Sequence, residues 1–150
     1  MVSVSDVLKA ISDDKSLVLF NTIALATEDS GSMIKILKLS KKQYYSRINE
    51  MTDAGVIKRF KGKYFLTSFG KVIYQAQELI GKATLQISKL KAIDLLDTPD
   101  FPGSEYSKVV DSLIQNEQIK EIVRRRRYSD GAQSEQDSIS ATIPLPLFTK

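Results

Sequence analysis

Seven Lys and Arg residues occur within residues 40–67, where only two residues are acidic. The rest of the chain holds fifteen basic and sixteen acidic residues, so the formal net charge of +4 comes from this one segment. Ammonium and guanidinium groups bind phosphate oxygens, and the Gln, Ser and Asn side chains among them can donate to and accept from base edges. The chemistry that these residue types favour is therefore non-covalent binding of nucleic acid.

A helix with complete end signals must position the first half of this segment. Ser40, with Gln43 three residues later, forms a capping-box pattern, and Gly55 is the residue type that most easily ends a helix. Together these signals predict a helix that runs from the residue after Ser40 to Ala54.

The apolar residues of this helix predict which side is buried. Tyr44, Ile48 and Met51 are spaced i, i+4 and i+7, and therefore form one stripe. The opposite side is polar. We assign base readout to the residues on that side: Lys42, Gln43, Tyr45, Ser46 and Asn49.

The second half of the segment predicts a β-hairpin. The stretches VIKRF and YFLT are rich in β-branched and aromatic residues and enclose a Lys-Gly-Lys turn. Alternate hairpin positions must cover the core, so Tyr64 and Leu66 are expected to pack there rather than to stack on single-stranded bases. Phosphate contacts are predicted for the cations of the hairpin and of the helix flanks: Lys41, Arg47, Lys58, Arg59, Lys61 and Lys63.

Short motifs at the ends of these elements carry a family resemblance. They are Leu39-Ser40 before the helix, Ile48 and Met51 within it, Ala54-Gly55-Val56-Ile57 at its exit, and Leu66-Thr67-x-x-Gly70 after the hairpin. In this order they resemble the archaeal winged helix-turn-helix transcriptional regulators related to the ArsR and MarR groups, over about residues 5–97.

The resemblance implies a mainly α fold with a small β-hairpin wing and long C-terminal dimerisation helices. It also implies that the helix after Ser40, the third helix of such a domain, enters the major groove of double-stranded DNA, with the wing on the phosphates. The chain departs from ArsR-type metal sensors because it contains no Cys and no His. We therefore expect no metal and no other cofactor.

The next segment predicts a single long helix over residues 68–97, on the order of 45 Å in length. Its apolar residues alternate spacings of four and three, as in a coiled coil. The predicted dimer interface lies on its distal part: Ile80, Ala83, Ile87 and Leu90. Two arrangements stay open, because the following helix can cross to a second subunit or fold back within the same chain.

A further helix is predicted within residues 98–127, after the breaker DTPDFPGS. It ends in Arg124 to Arg127, which either complement the helix C-terminus or add a second phosphate contact. The polar segment that follows predicts a disordered tail over residues 128–150. The predicted domains are thus a DNA-binding core (1–67), the long helix (68–97), the C-terminal helix (98–127) and the tail.

Composition narrows the function classes. Without Cys and His the chain lacks disulfides, Cys/His zinc sites and His-based nucleophilic catalysis, and its carboxylates are scattered, so we expect no enzyme. No apolar run is long enough for a membrane span and no signal-peptide pattern begins the chain, which predicts a cytoplasmic protein. The sequence favours a homodimeric transcriptional regulator. The alternative is a winged-helix interaction module that binds an acidic protein partner.

Overall fold

The computed structural model describes residues 1–25 and 29–126. Within these residues the chain is mainly helical, with a two-stranded antiparallel hairpin, as the sequence predicts. The elements of this part of the chain are α1 (Val4–Ala10), α2 (Asp14–Leu25), α3 (Ser30–Ile36), α4 (Lys41–Asp53), β1 (Ile57–Phe60), β2 (Lys63–Leu66), α5 (Ser68–Leu85), α6 (Ile87–Asp94), α7 (Gly103–Leu113) and α8 (Glu117–Arg124).

The chain divides into two compact units, and the boundary lies between Gln77 and Glu78 inside α5. The predicted first domain ended earlier, at residue 67. The difference arises because Ile73 and Tyr74, on the first turns of α5, pack against the core of the first unit. The predicted tail over residues 128–150 lies outside the described residues.

The core of the first unit combines side chains from α1 to α4 with the start of the hairpin. Tyr44, Ile48 and Met51 are each at most 2% exposed, which confirms the predicted stripe. Burying an apolar side chain of this size stabilises the fold by roughly 1.5–3 kcal/mol. The other buried members of this cluster are Val7, Ala10, Ile11, Leu19, Phe20, Met33, Leu37, Leu39, Ala54, Val56 and Ile57.

The predicted end signals of α4 are confirmed. The Ser40 Oγ accepts a hydrogen bond from the Gln43 amide at 3.1 Å, and the Gln43 Oε1 accepts one from the Ser40 amide at 3.0 Å. Ala54 is the C-terminal cap, and Gly55 follows with φ of +76°, which glycine adopts without steric cost.

The hairpin is also confirmed, with a tighter turn than the Lys-Gly-Lys motif indicates. Phe60 pairs with Lys63, so Lys63 is the first residue of β2 and the turn contains only Lys61 and Gly62. Both have positive φ, 49° and 80°, as a type I′ turn requires. On β2, Tyr64 packs against the core, and so does Leu66, as predicted.

The structure corrects the prediction of one long helix over residues 68–97. α5 ends at Leu85 and α6 begins at Ile87, because Gln86 leaves the helical conformation with φ of −103° and ψ of 10°. Apolar spacing reports only which face a residue shares with its neighbours, so it does not distinguish one helix from two that bury the same face. The predicted C-terminal helix is likewise two helices, α7 and α8, and the Asn116 side chain caps α8.

The predicted dimer interface is divided by this packing. Ala83 and Leu90 pack against the buried cluster of the second unit, which contains Ile93, Tyr106, Val110, Ile114 and Ile119. Ile80 and Ile87 remain 60% and 51% exposed. The fold-back arrangement therefore accounts for Ala83 and Leu90 but leaves Ile80 and Ile87 uncovered.

Two cations of the predicted Arg124–Arg127 run are held within the second unit. The side chain of Arg126 is 8% exposed, and it donates to the Asp97 carboxylate at 3.1 Å and to the carbonyls of Thr98 and Phe101 at 2.6 and 2.9 Å. Its guanidinium also lies 4.7 Å from the centre of the Tyr106 ring. Arg124 pairs with an aspartate of α7, and Arg127 lies outside the described residues. These contacts favour the structural account of this run over a second phosphate contact for Arg126.

Candidate nucleic-acid interface

One face of α4 presents an uninterrupted set of polar and charged side chains. The capping box fixes where the helix begins, and the buried stripe fixes its rotation against the core. The acidic Glu50 and Asp53 are exposed on the same side of the helix. The exposed residues to which the sequence assigns DNA contacts are Lys41, Lys42, Gln43, Tyr45, Ser46 and Asn49. All five residues assigned to base readout are among them. We call this set the α4 face.

The structure restricts what Gln43 can do on this face. Its Oε1 already accepts the capping hydrogen bond from the Ser40 amide, so its Nε2 amino group is the part left to donate to a ligand. Ser46 and Asn49 make no such capping bond and keep both donor and acceptor capacity.

Tyr45 is 48% exposed, and its ring meets the ring of buried Tyr44 edge-to-face, with centroids 5.1 Å apart. Tyr44 is itself anchored, because its hydroxyl donates to the Ser30 Oγ at 3.0 Å. Burial raises the pKa of Tyr44, although the bond with Ser30 acts in the opposite direction. The exposed ring of Tyr45 therefore lies against a buried tyrosine that a hydrogen bond holds in place.

Arg47 does not take the free, outward position that a phosphate contact requires. Its Nη1 donates to the Asp13 Oδ2 at 2.6 Å and to the Oγ of buried Ser16 at 2.7 Å. Burial of Asp13 opposes its charged form. The hydrogen bonds from Ser16 and from Arg47 outweigh that effect, so the pKa of Asp13 lies below its ordinary value. Arg47 thus ties α4 to the start of α2, and this pairing competes with the phosphate contact, which stays a prediction for this residue.

The hairpin carries four exposed cations: Lys58, Arg59, Lys61 and Lys63. Its register places Lys58 opposite Phe65 and Phe60 opposite Lys63. These two lysines and two phenylalanines therefore share one face of the hairpin. Phe60 and Phe65 are 59% and 37% exposed there. Sequence reasoning gave these two phenylalanines no role, although the alternation that predicts Tyr64 and Leu66 in the core already implies that Phe65 points the other way.

A backbone junction fixes the hairpin relative to α4. The Thr67 amide donates to the Val56 carbonyl at 3.1 Å, and the Thr67 hydroxyl donates to the Gly55 carbonyl at 2.6 Å. The same hydroxyl accepts from the Gly70 amide at 2.8 Å, which caps the start of α5. The exit of α4, the base of the hairpin and the first turn of α5 are therefore joined by the hydrogen bonds of Thr67, and we call this junction the node.

The described part of the chain offers little for other chemistry. Over residues 1–25 and 29–126, no three Asp or Glu side chains converge as metal ligands. No helix in the same residues has the length and apolar content needed to cross a membrane. Comparisons with family models, curated proteins and solved structures give no match to the chain.

Proposed function

We propose that the chain is a winged helix-turn-helix transcriptional regulator that binds double-stranded DNA, with the α4 face in the major groove and the hairpin on the phosphates. The observation that carries this proposal is the α4 face itself: six exposed polar or charged residues on a capped helix that is joined rigidly to a basic hairpin. The major groove is about 12 Å wide and admits one helix of this diameter.

The connection from α3 to α4 also supports the proposal. α3 ends at Ile36 and α4 begins after Ser40, so four residues join the two helices, as in many helix-turn-helix units. Within this turn Lys38 has φ of +52°, and the Leu39 amide donates to the Ile34 carbonyl at 3.1 Å. Such a turn sends the chain sharply from one helix into the next.

Lys61 and Lys63 are proposed as phosphate contacts, because flexible point charges on a short hairpin suit the backbone better than they suit base edges. Replacing both with alanine should weaken binding to every duplex by a similar factor. The slope of log affinity against log salt should become shallower by about 1.8, since each phosphate contact contributes about 0.9.

A Lys9→Ala, Lys15→Ala variant is the matched control, because it removes the same charge from exposed positions of the first unit outside the proposed interface. It should leave the salt slope nearly unchanged. A loss confined to one sequence, or the same loss in both double variants, would contradict a phosphate role for the hairpin lysines.

Asn49 is proposed to carry sequence preference together with Ser46 and Gln43. Asn49→Ala should alter the sequence selected from a random duplex pool, at a cost of about 1–3 kcal/mol for the preferred base, and should leave nonspecific affinity nearly intact. An identical selected sequence with identical affinity would place the readout elsewhere.

We further propose a homodimer through the exposed part of the predicted seam, Ile80 and Ile87. These side chains are seven residues apart and remain uncovered within the second unit. A two-fold dimer implies two half-sites about one helical turn apart, or a multiple of it. Sedimentation equilibrium of the wild type should give a dimer that Ile80→Glu, Ile87→Glu dissociates, with Lys89→Glu as an exposed control. A wild-type monomer at tens of micromolar would end this part of the proposal.

One observation favours the alternative of an acidic protein partner. Phe60 and Phe65 are exposed between lysines on the hairpin, and exposed aromatic residues are enriched at protein interfaces. A titration with duplex DNA separates the two functions. Affinity that falls steeply with salt supports DNA binding. No duplex affinity even at low salt would favour the protein partner.

A further inference from the structure

The outer face of the hairpin combines exposed aromatic rings with cations. The inner face packs against the core of the first unit through Tyr64 and Leu66. The residues of the opposite face are all exposed, and we call them the hairpin face: Lys58, Phe60, Lys63 and Phe65. Exposed aromatic rings beside cations are the groups that form binding sites for single-stranded nucleic acid.

The distribution of exposed aromatic residues along the chain supports a ligand for this face. Among the residues that the structure describes, the exposed aromatic side chains all lie in the basic segment or two residues beyond it: Tyr45, Phe60, Phe65 and Phe69. Between Asp53 and Glu78 the chain has five cations and no acidic residue. Threonine would meet strand propensity equally well, and solubility is served by charges of both signs. The rings and the single sign of charge therefore indicate an anionic ligand with flat surfaces.

The register of the hairpin sets the distance between the two rings. Phe60 and Phe65 are diagonal neighbours on the two strands, a relation in which the Cα atoms lie about 7–8 Å apart. Successive nucleotides in one strand of a duplex are only about 3.4 Å apart along the helix axis. The bases of an intact duplex also cover each other's faces. Two rings at the wider spacing therefore fit neighbouring bases of an extended, unpaired strand.

We propose that the hairpin face binds single-stranded nucleic acid, with one base stacked on Phe60 and a neighbouring base stacked on Phe65. A single strand supplies one phosphate per base, which matches the one lysine per ring on this face. An acidic protein has no such fixed repeat. Because phenylalanine has no hydrogen-bonding group, we expect little sequence preference.

The contact that Phe60 already makes does not prevent stacking. The Lys61 Nζ lies 5.3 Å from the centre of the Phe60 ring. An exposed contact of this kind contributes about two- to five-fold in an equilibrium constant, whereas a stacked base contributes about five- to 150-fold. A base therefore displaces the flexible ammonium group, which then becomes available to a phosphate.

The first measurement compares ligands by fluorescence anisotropy with the full wild-type chain. Fluorescein-labelled oligothymidine of about twelve nucleotides is compared with an abasic oligomer of the same length and charge. The oligothymidine should bind at least about 25-fold more tightly, the product of two five-fold contributions. Equal binding of the abasic oligomer would overturn stacking. An acidic peptide of equal charge that binds more tightly than the oligothymidine would overturn the proposal in favour of a protein partner. Oligouridine in a parallel titration decides between RNA and DNA, and tight binding of either strand supports the proposal.

The second measurement reports stacking directly. The chain contains no tryptophan, so the indole of Phe60→Trp is a single reporter. A thymine stacked on the indole quenches its fluorescence, and saturating oligothymidine should remove at least about half of the emission. Phe69→Trp is the matched control, because Phe69 is an exposed aromatic residue of the same unit outside the hairpin face. Equal quenching in both variants would overturn the location.

Leucine variants separate stacking from apolar contact. Phe60→Leu and Phe65→Leu should each weaken oligothymidine binding by at least about five-fold, and Phe69→Leu should not. Both positions are exposed, so the urea midpoint should stay unchanged. Wild-type affinity in both hairpin variants would overturn the proposal. The inference does not depend on duplex binding. A wild type that binds duplex DNA but no single strand would overturn this inference alone, whereas the reverse result would refute the proposed function and leave the inference standing.

Discussion

Gly70→Ala is a sharp test of how the first unit is held together, because α5 crosses the exit of α4 at this residue. A Cβ atom at position 70 would lie 1.9 Å from the carbonyl oxygen of Val56 and 2.9 Å from its carbonyl carbon. Both atoms belong to the backbone, so no side chain can rotate away. The same carbonyl accepts the Thr67 amide at 3.1 Å, which holds it in place. The added methyl group therefore has to separate the two elements.

Two opposing effects set the magnitude. Alanine in a helix is favoured over glycine by roughly 0.5–1 kcal/mol. Overpacking costs about 1–3 kcal/mol, and more when only backbone can move. Since a carbon and an oxygen normally approach to no less than about 3.3 Å, the clash at 1.9 Å puts Gly70→Ala at the upper end of that range. We expect a net loss of about 2 kcal/mol.

Amide hydrogen exchange is the assay, because it reads local stability in each unit separately. A loss of about 2 kcal/mol should accelerate exchange of the core amides of α4, such as that of Ile48, by about 30-fold. Gly81→Ala is the matched control in the same helix, since a Cβ atom there meets nothing within 4 Å. It should slow exchange in its own part of α5. If the Gly70→Ala protein exchanges as slowly as the wild type, the close approach does not hold the node together.

Three further changes test other contacts. Thr67→Val removes the hydroxyl that joins Gly55 to Gly70, and should lower the free energy of unfolding by about 1–2 kcal/mol in urea titrations; an unchanged midpoint would refute its capping role. Arg126→Ala leaves two backbone carbonyls and a carboxylate without their donor. It should lower the stability of the second unit by about 2–3 kcal/mol, seen as faster amide exchange in α7. Arg126→Lys should not restore this stability, because an ammonium group lacks the planar fork of the guanidinium. The pKa of Asp13 is lowered in the folded state, so its contribution to stability is present above about pH 4 and is lost as the pH falls through the folded pKa. Asp13→Asn should therefore destabilise the protein in urea titrations at pH 7, and this destabilisation should shrink as the pH falls below about 4. A destabilisation that stays the same as the pH falls would contradict the charged pairing.

The sequence by itself determined the elements of the first unit that depend on neighbouring residues. The capping box of Ser40, the C-terminal Gly55 and the hairpin turn each involve contacts between residues at most a few positions apart, so their signals are present in short motifs. The buried stripe of α4 follows from helical periodicity alone. For the same reason the exposed α4 face, and with it most of the candidate site, was predictable.

Only the tertiary structure decided which charged side chains are free. Arg47 has the composition and position of a phosphate contact, yet it pairs with Asp13, 34 residues away, and no local pattern encodes that partner. Arg126 likewise bonds to Asp97 across a separation of 29 residues. The same limit applies to the seam: its regular spacing is local, but packing of the second unit breaks the helix at Gln86 and buries part of the seam. Contacts between residues far apart in sequence form only when the chain is folded, and they decide which predicted surfaces remain exposed.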